Sequence, residues 1–467
     1  MVQTTEAGIP VSLEDAARAL AEGRTTSRAL VEQCLDRIVS GNAAAGHPFL
    51  QLREDAARAE ADLADRMRAQ GMVPSRFLGV PVSVKDLFDI TGEVTAAGSR
   101  VLADTPPATD DATTIARLRR AGFIVIGRTN MTEFAFSGLG LNPHHGTPLS
   151  PWDRATGRIA GGSSSGGAVS VAEGMALAAL GTDTGGSCRI PAAFCGITGY
   201  KPTVGRLPSE GVVPLSQSLD SAGPLAPTVA CCAALASIMA GGEAPAMRPA
   251  LEPEGQLRLR IGVPQAMVLD DMDATVAEVF EGVLAALSKA GAQIVETPMA
   301  SFTSIPDILA GGGPVAAEAH AWHRGLIERH RAAYDPRVVG RIERGAGLLA
   351  ADYIDQMALR RRLIDAFSAE ADEFDLLAFP TVSMVPPALA PLEEDDALYG
   401  ATNLLVLRNS TTINLADGCA ISVPVHRSGE APVGLTLAMA GGADSRLLQR
   451  AAAVEAVLDA WRGVAAG

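Results

Sequence analysis

The chain has 467 residues, of which 48% are hydrophobic, and a formal net charge of -15 at pH 7. That composition supports a large buried core and excludes a disordered or fibrous chain. Lysine and arginine are scattered apart from the run Arg360, Arg361 and Arg362, so no basic stripe exists to neutralise phosphates and direct nucleic-acid binding is not expected.

In chain order, Met1 to Pro10 has neither the basic nor the apolar region of a secretory signal, and no apolar stretch reaches the ~20 residues that a spanning helix needs. The expectation is a soluble, cytoplasmic protein with no membrane partner. Ser12 and Asp15 fit a capping box for a helix with Leu13, Ala16, Ala17 and Leu20 on one face, and Leu30, Cys34 and Ile38 repeat the spacing in a second helix. From Gly79 the period changes to two, with Val80, Val82 and Val84 leading to Lys85 as a strand; Pro81 marks an edge position or the strand start. A helix over about 111–121, closed by Gly122, and an apolar run at 123–126 add a βαβ-like step.

The step recurs after Gly161, where a Gly/Ser loop opens a small-residue helix ending at Gly174 and a strand is expected over 175–180. Further along come a helix over 274–291, strands over 293–297 and 375–379, and a hairpin pairing 420–425 with 433–439 across Ser428-Gly429. A last helix is expected from about Asp444 to Trp461, residues 241–258 read as a surface excursion, and residues 301–360 carry no readable motif but are expected to help shape a substrate pocket. This alternation implies an α/β protein: a single large α/β/α catalytic domain over 1–467, with a mixed central sheet covered by helices and a helical segment over about 1–70.

Six cysteines without a Cys-x-x-Cys read as buried thiols, and the adjacent pair His144 and His145 lacks a nearby third ligand, so neither a metal nor another cofactor is expected. Two segments depart from ordinary composition: Gly161-Gly162-Ser163-Ser164-Ser165-Gly166-Gly167, and Gly181 to Arg189. Glycine lets consecutive N–H groups converge on an oxyanion or a phosphate. By itself the first segment could be a flexible loop. A phosphate loop would need a Lys after Gly167, and a nucleophile elbow on Ser164 would need a buried strand where Trp152 to Ala160 carries Asp153, Arg154, Gly157 and Arg158.

Taken together with Val82-Ser83-Val84-Lys85-Asp86 and with Ile190-Pro191-Ala192-Ala193-Phe194-Cys195-Gly196, these segments resemble the amidase signature family. Matches continue at Thr129-Asn130-Met131, Glu133-Phe134-Ala135, Lys201-Pro202-Thr203, Ser218-Leu219-Asp220, Pro380-Thr381, and Asn414-Leu415 before Ser422-Val423-Pro424, so the resemblance covers nearly the whole chain. It implies a Ser–cis-Ser–Lys triad of Ser187, Ser163 and Lys85, a cis peptide at Gly162–Ser163, and an oxyanion hole of the N–H groups of Thr184, Gly185, Gly186 and Ser187. A lysine serving as base must be neutral near pH 7, which burial can achieve.

Asp183 and Arg189 are expected to orient the loop or to form a plain structural ion pair. Cys188 stands where a branched aliphatic is usual, and no histidine or second cysteine within the motif would activate it as a nucleophile. The implied activity is hydrolysis of a small-molecule carboxylic amide, releasing ammonia or an amine, with homo-oligomerisation left open. The alternative is the amidase-like glutaminase subunit of an aminoacyl-tRNA amidotransferase. Arg360, Arg361 or Arg362 could hold a substrate carboxylate or line a solvated helix face.

Overall fold

The structure, a computed structural model, describes residues 12–245, 251 and 256–463. Met1 to Pro10 lies outside the described residues, as do 246–250 and 252–255 of the expected surface excursion. Eleven strands form one sheet: β1 (Phe49–Leu52), β2 (Pro81–Lys85), β3 (Ile124–Thr129), β4 (Ala179–Thr182), β5 (Thr198–Lys201), β6 (Ala222–Ala226), β7 (Arg260–Pro264), β8 (Gln293–Thr297), β9 (Leu376–Pro380), β10 (Cys419–Pro424) and β11 (Gly434–Met439). Their order is β1-β3-β2-β4-β6-β5-β10-β11-β9-β7-β8. Pairing is parallel for β2 with β3 and β4 and for β7 with β8 and β9, and antiparallel elsewhere, so the sheet is mixed.

Helices cover both faces, as the strand side chains show. On β3, Val125 joins the cluster that contains Leu13, Ile115 and Leu235, whereas Ile124 and Ile126 join the one that contains Val31, Ala57 and Val169. Every β2 residue is buried, which a strand covered on both faces requires. Half of the expected capping box forms: the Ser12 hydroxyl accepts from Asp15 N–H at 3.1 Å and donates to the Asp15 carboxylate at 2.8 Å, and Leu13, Ala16, Ala17 and Leu20 of the helix Leu13–Ala21 are buried.

Several expectations shift. The segment before residue 70 is not wholly helical, because β1 joins the sheet edge between the helices Ser27–Gly41 and Glu54–Ala69. Pro81 starts β2, which lies inside the sheet rather than at an edge. The strand expected over 175–180 begins only at Ala179, because the N–H groups of Met175 and Ala176 turn back to the Ser170 carbonyl at 2.7 and 3.0 Å to close the preceding helix. The stretch 301–360 is mostly helical, including Gly313–His330 and Pro336–Glu343, and the helices Ala350–Ala371 and Asp396–Leu415 extend that layer.

Candidate active site

β2 and β4 run parallel, with Val84 opposite Leu180, so their C-terminal ends open at the same sheet edge. Lys85, the last residue of β2, thereby comes beside Thr182, the last of β4. Its Nζ donates to Thr182 Oγ1 at 2.8 Å and to Ser163 Oγ at 2.7 Å. No surface of Lys85 reaches solvent, and burial pulls its ammonium down to about 8 against the opposing pull of Asp220 and Asp183.

Ser163 follows a cis peptide from Gly162. The loop is fixed by Thr132 N–H donating to the Ser163 carbonyl and Ser164 N–H to the Ser187 carbonyl, both at 3.2 Å. The Ser164 hydroxyl donates to the Thr182 carbonyl at 3.3 Å, and the helix Ser165–Ala172 starts directly after it. Residues 152–160 form turns and isolated bridges rather than a strand, so the elbow geometry is absent there.

Ser187 lies in the turn between β4 and the helix Arg189–Cys195 and lines a cavity of about 310 Å³. Among the described residues its hydroxyl is hydrogen-bonded to no side chain, Ser163 included. Of the four expected oxyanion donors, Gly186 N–H is committed to Asp183 Oδ1 at 2.8 Å, leaving Thr184, Gly185 and Ser187 with N–H groups that meet no acceptor among the described residues. Gly186 has φ +127°, and a Cβ there would stand 2.0 Å from Ser410 Oγ, so only glycine fits the turn.

The loop is held from behind by Asp183 and Arg189, both without solvent exposure. Arg189 Nε and Nη2 donate to the two Asp183 oxygens at 3.0 and 2.9 Å, and Asn414 Nδ2 adds a bond to Oδ1 at 2.9 Å. Cys188 N–H also donates to Asp183 at 3.2 Å. Burial alone would raise the carboxyl, but Arg189 and Asn414 hold it well below the usual carboxylate range. The Cys188 thiol is buried and pushed far above its ordinary value, chiefly by that burial, which makes it inert.

The cavity wall combines Leu219, Met267, Ile305 and Leu407 with Arg341, Arg344 and Arg408. Residues 301–360 therefore do shape it, through both Arg341 and Arg344. The run Arg360 to Arg362 does not: Arg360 is buried and donates to the Leu415 carbonyl at 3.1 Å, and its two neighbours face outward. The sequence assigns no role to Thr182 or Asn414. Asn414 stands out there only as part of a motif, whereas Thr182 follows from strand register, which a single sequence does not display. His144 faces Glu133 at 2.9 Å, and among the described residues no group of three His, Cys, Asp or Glu is placed to hold a metal. Among them, too, no helix is long and apolar enough to cross a membrane.

This architecture is that of an amidohydrolase: a solved amidase superposes over 95% of this chain and 99% of its own with a TM-score of 0.84 and 32% identity. The amidase family model matches residues 29–448, and the chain belongs to that family. Among curated relatives, a 2-amino-5-chloromuconic acid deaminase of Comamonas testosteroni is 37% identical over 96% of both chains. A glutamyl-tRNA(Gln) amidotransferase subunit from Chromohalobacter salexigens is 33% identical over 94% of both.

Proposed function

We propose that the whole chain is one catalytic unit that hydrolyses a carboxylic amide through an acyl-enzyme on Ser187. The observation that carries this reading is the buried Lys85, lowered to about 8 and bonded to Ser163 at 2.7 Å. Neutral Lys85 takes the Ser163 proton as Ser163 takes that of Ser187, and the Ser187 oxygen attacks the carbonyl carbon. The N–H groups of Thr184, Gly185 and Ser187 stabilise the oxyanion. As the C–N bond breaks, Ser163 returns a proton to the leaving nitrogen and Lys85 reprotonates Ser163. Water then adds to the acyl group by the same relay and releases the acid and Ser187.

Hydroxyls are suited to this relay because each both donates and accepts. Replacing Ser187 by Ala is expected to lower turnover of a good amide by at least ~10³, with an unchanged unfolding transition. Near-wild-type ammonia release by the folded variant would refute the assignment. A second reading, an ammonia-supplying component of an amidotransferase, is favoured by the 33% identity to the Chromohalobacter protein over 94% of the chain.

A further inference from the structure

Two arginines that line the Ser187 cavity, the half-buried Arg341 and the exposed Arg344, form no ion pair with a carboxylate among the described residues, in a chain whose formal net charge is -15. Arg341, from the helix Pro336–Glu343, spends one Nη1 bond on the Phe136 carbonyl at 2.7 Å and lies 5.9 and 5.8 Å from the Phe136 and Tyr399 ring centroids. Burial lowers its pKa, with Arg344 adding to the lowering and Tyr399 and Asp335 opposing it. Arg344, next on the same wall, makes no side-chain hydrogen bond or ion pair among the described residues. The third arginine is already engaged: Arg408 bonds Asn409 Oδ1 at 3.0 Å and the Asp270 carbonyl and pairs with Asp271 at 3.6 Å. Other arginines on neighbouring elements are matched as well, Arg331 with Glu343 and Arg337 with Asp396, each at 2.7 Å.

The same cavity wall carries the apolar Leu219, Ile305, Leu309 and Val315 beside the polar Ser137, Asn403 and Thr411. A second cavity of about 420 Å³ is lined by Thr182, the other partner of Lys85, and meets the first at Ala135, Thr184 and Leu215. The leaving nitrogen has to face Ser163, which the relay from Lys85 reprotonates.

Resting on the amidohydrolase reading above, we infer that the substrate is the monoamide of a dicarboxylic acid, its free carboxylate held by Arg341 and Arg344 on the wall of the cavity that Ser187 lines. An arginine matches a carboxylate with paired N–H donors.

The test uses the full chain and a fluorophosphonate that labels Ser187, with linear dicarboxylates of three to six carbons as protectants and the neutral diamides of the same lengths as controls. Dicarboxylate is expected to protect Ser187 at concentrations ~10–100-fold lower than diamide, the scale of a charged hydrogen bond. In Arg344→Gln and Arg341→Met that ratio is expected to collapse toward one. The same ratio in kcat/KM for monoamides against neutral alkyl amides should follow, with the loss in KM. Equal protection by diamides, or a ratio unmoved in both variants, would overturn this inference while labelled Ser187 leaves the serine assignment standing. Absence of labelling at Ser187 would sink both.

Discussion

The acidity of Lys85 is set by enclosure: its Nζ meets two hydroxyls and, among the described residues, no carboxylate within hydrogen-bonding distance. Its ammonium form is therefore disfavoured, and the neutral base accumulates as pH rises through about 8. The expected profile of kcat/KM falls on the acid side of that value with a single ionisation and flattens above it. Lys85→Ala should remove that limb along with most of the rate, and the same limb surviving in the variant would assign the base to another group. Lys201 is a useful contrast. It too is wholly buried and lowered to about 8 by burial, yet its Nζ donates to the Pro202 and Gly418 carbonyls, both at 2.8 Å, which offer it no proton to relay. Gly186 carries a different constraint. With φ +127° and Ser410 Oγ only 2.0 Å from where a Cβ would stand, Gly186→Ala combines backbone strain of roughly 1–3 kcal/mol with a steric clash. A lower thermal midpoint together with lost turnover is expected, and wild-type values of both would show that the turn is not constrained.

The turn from β4 into the helix Arg189–Cys195 depends on a contact made far away in sequence. Asn414, near the end of the helix Asp396–Leu415, bonds both the Asp183 carboxylate and, through Oδ1, Arg189 Nη2 at 2.6 Å. Asp183→Asn would leave the Arg189 cation buried without a counter-charge, a loss of about 3–5 kcal/mol measurable by urea unfolding. Because the folded carboxyl titrates below its unfolded value, its contribution is present above the ordinary carboxylate range and disappears as pH falls through the folded value. In the variant, the acid-induced loss of stability should be shallower. The serines, the lysine and the glycine turn were picked out through the resemblance to a known family, because the Gly/Ser segment by itself reads equally as a flexible loop. The hairpin of β10 and β11 and the strand β8 were legible through apolar runs bounded by turn residues. β5 and β6 were not: four and five residues long, buried on both faces, they alternate no polarity, and Pro224 in β6 argues against the interior place it occupies. The arginines of the cavity were unreadable for another reason. A helix such as Pro336–Glu343 announces its buried face, Val338, Val339 and Ile342, while the direction in which Arg341 points depends on Phe136, in a loop far earlier in the chain.

At the scale of the molecule, the question is whether the chemistry is complete within one chain. The Ser187 cavity draws its wall from the loop at 135–137, the β4 turn, the helical layer of 305–344 and the helix Asp396–Leu415, all within this chain. The groups proposed to move protons, Lys85 and Ser163, reach no solvent at all. The formal net charge of -15 gives the chain no electrostatic reason to engage nucleic acid directly. The expected outcome is ammonia or amine release from small amides by the purified chain alone, at a specific activity that does not rise when other proteins are added. Glutamine is the informative competitor in that assay. If ammonia came from glutamine only when a tRNA-binding partner was present, and from no other amide without it, the amidotransferase reading would replace the free-standing one, and Ser187→Ala would then be expected to abolish that coupled release instead.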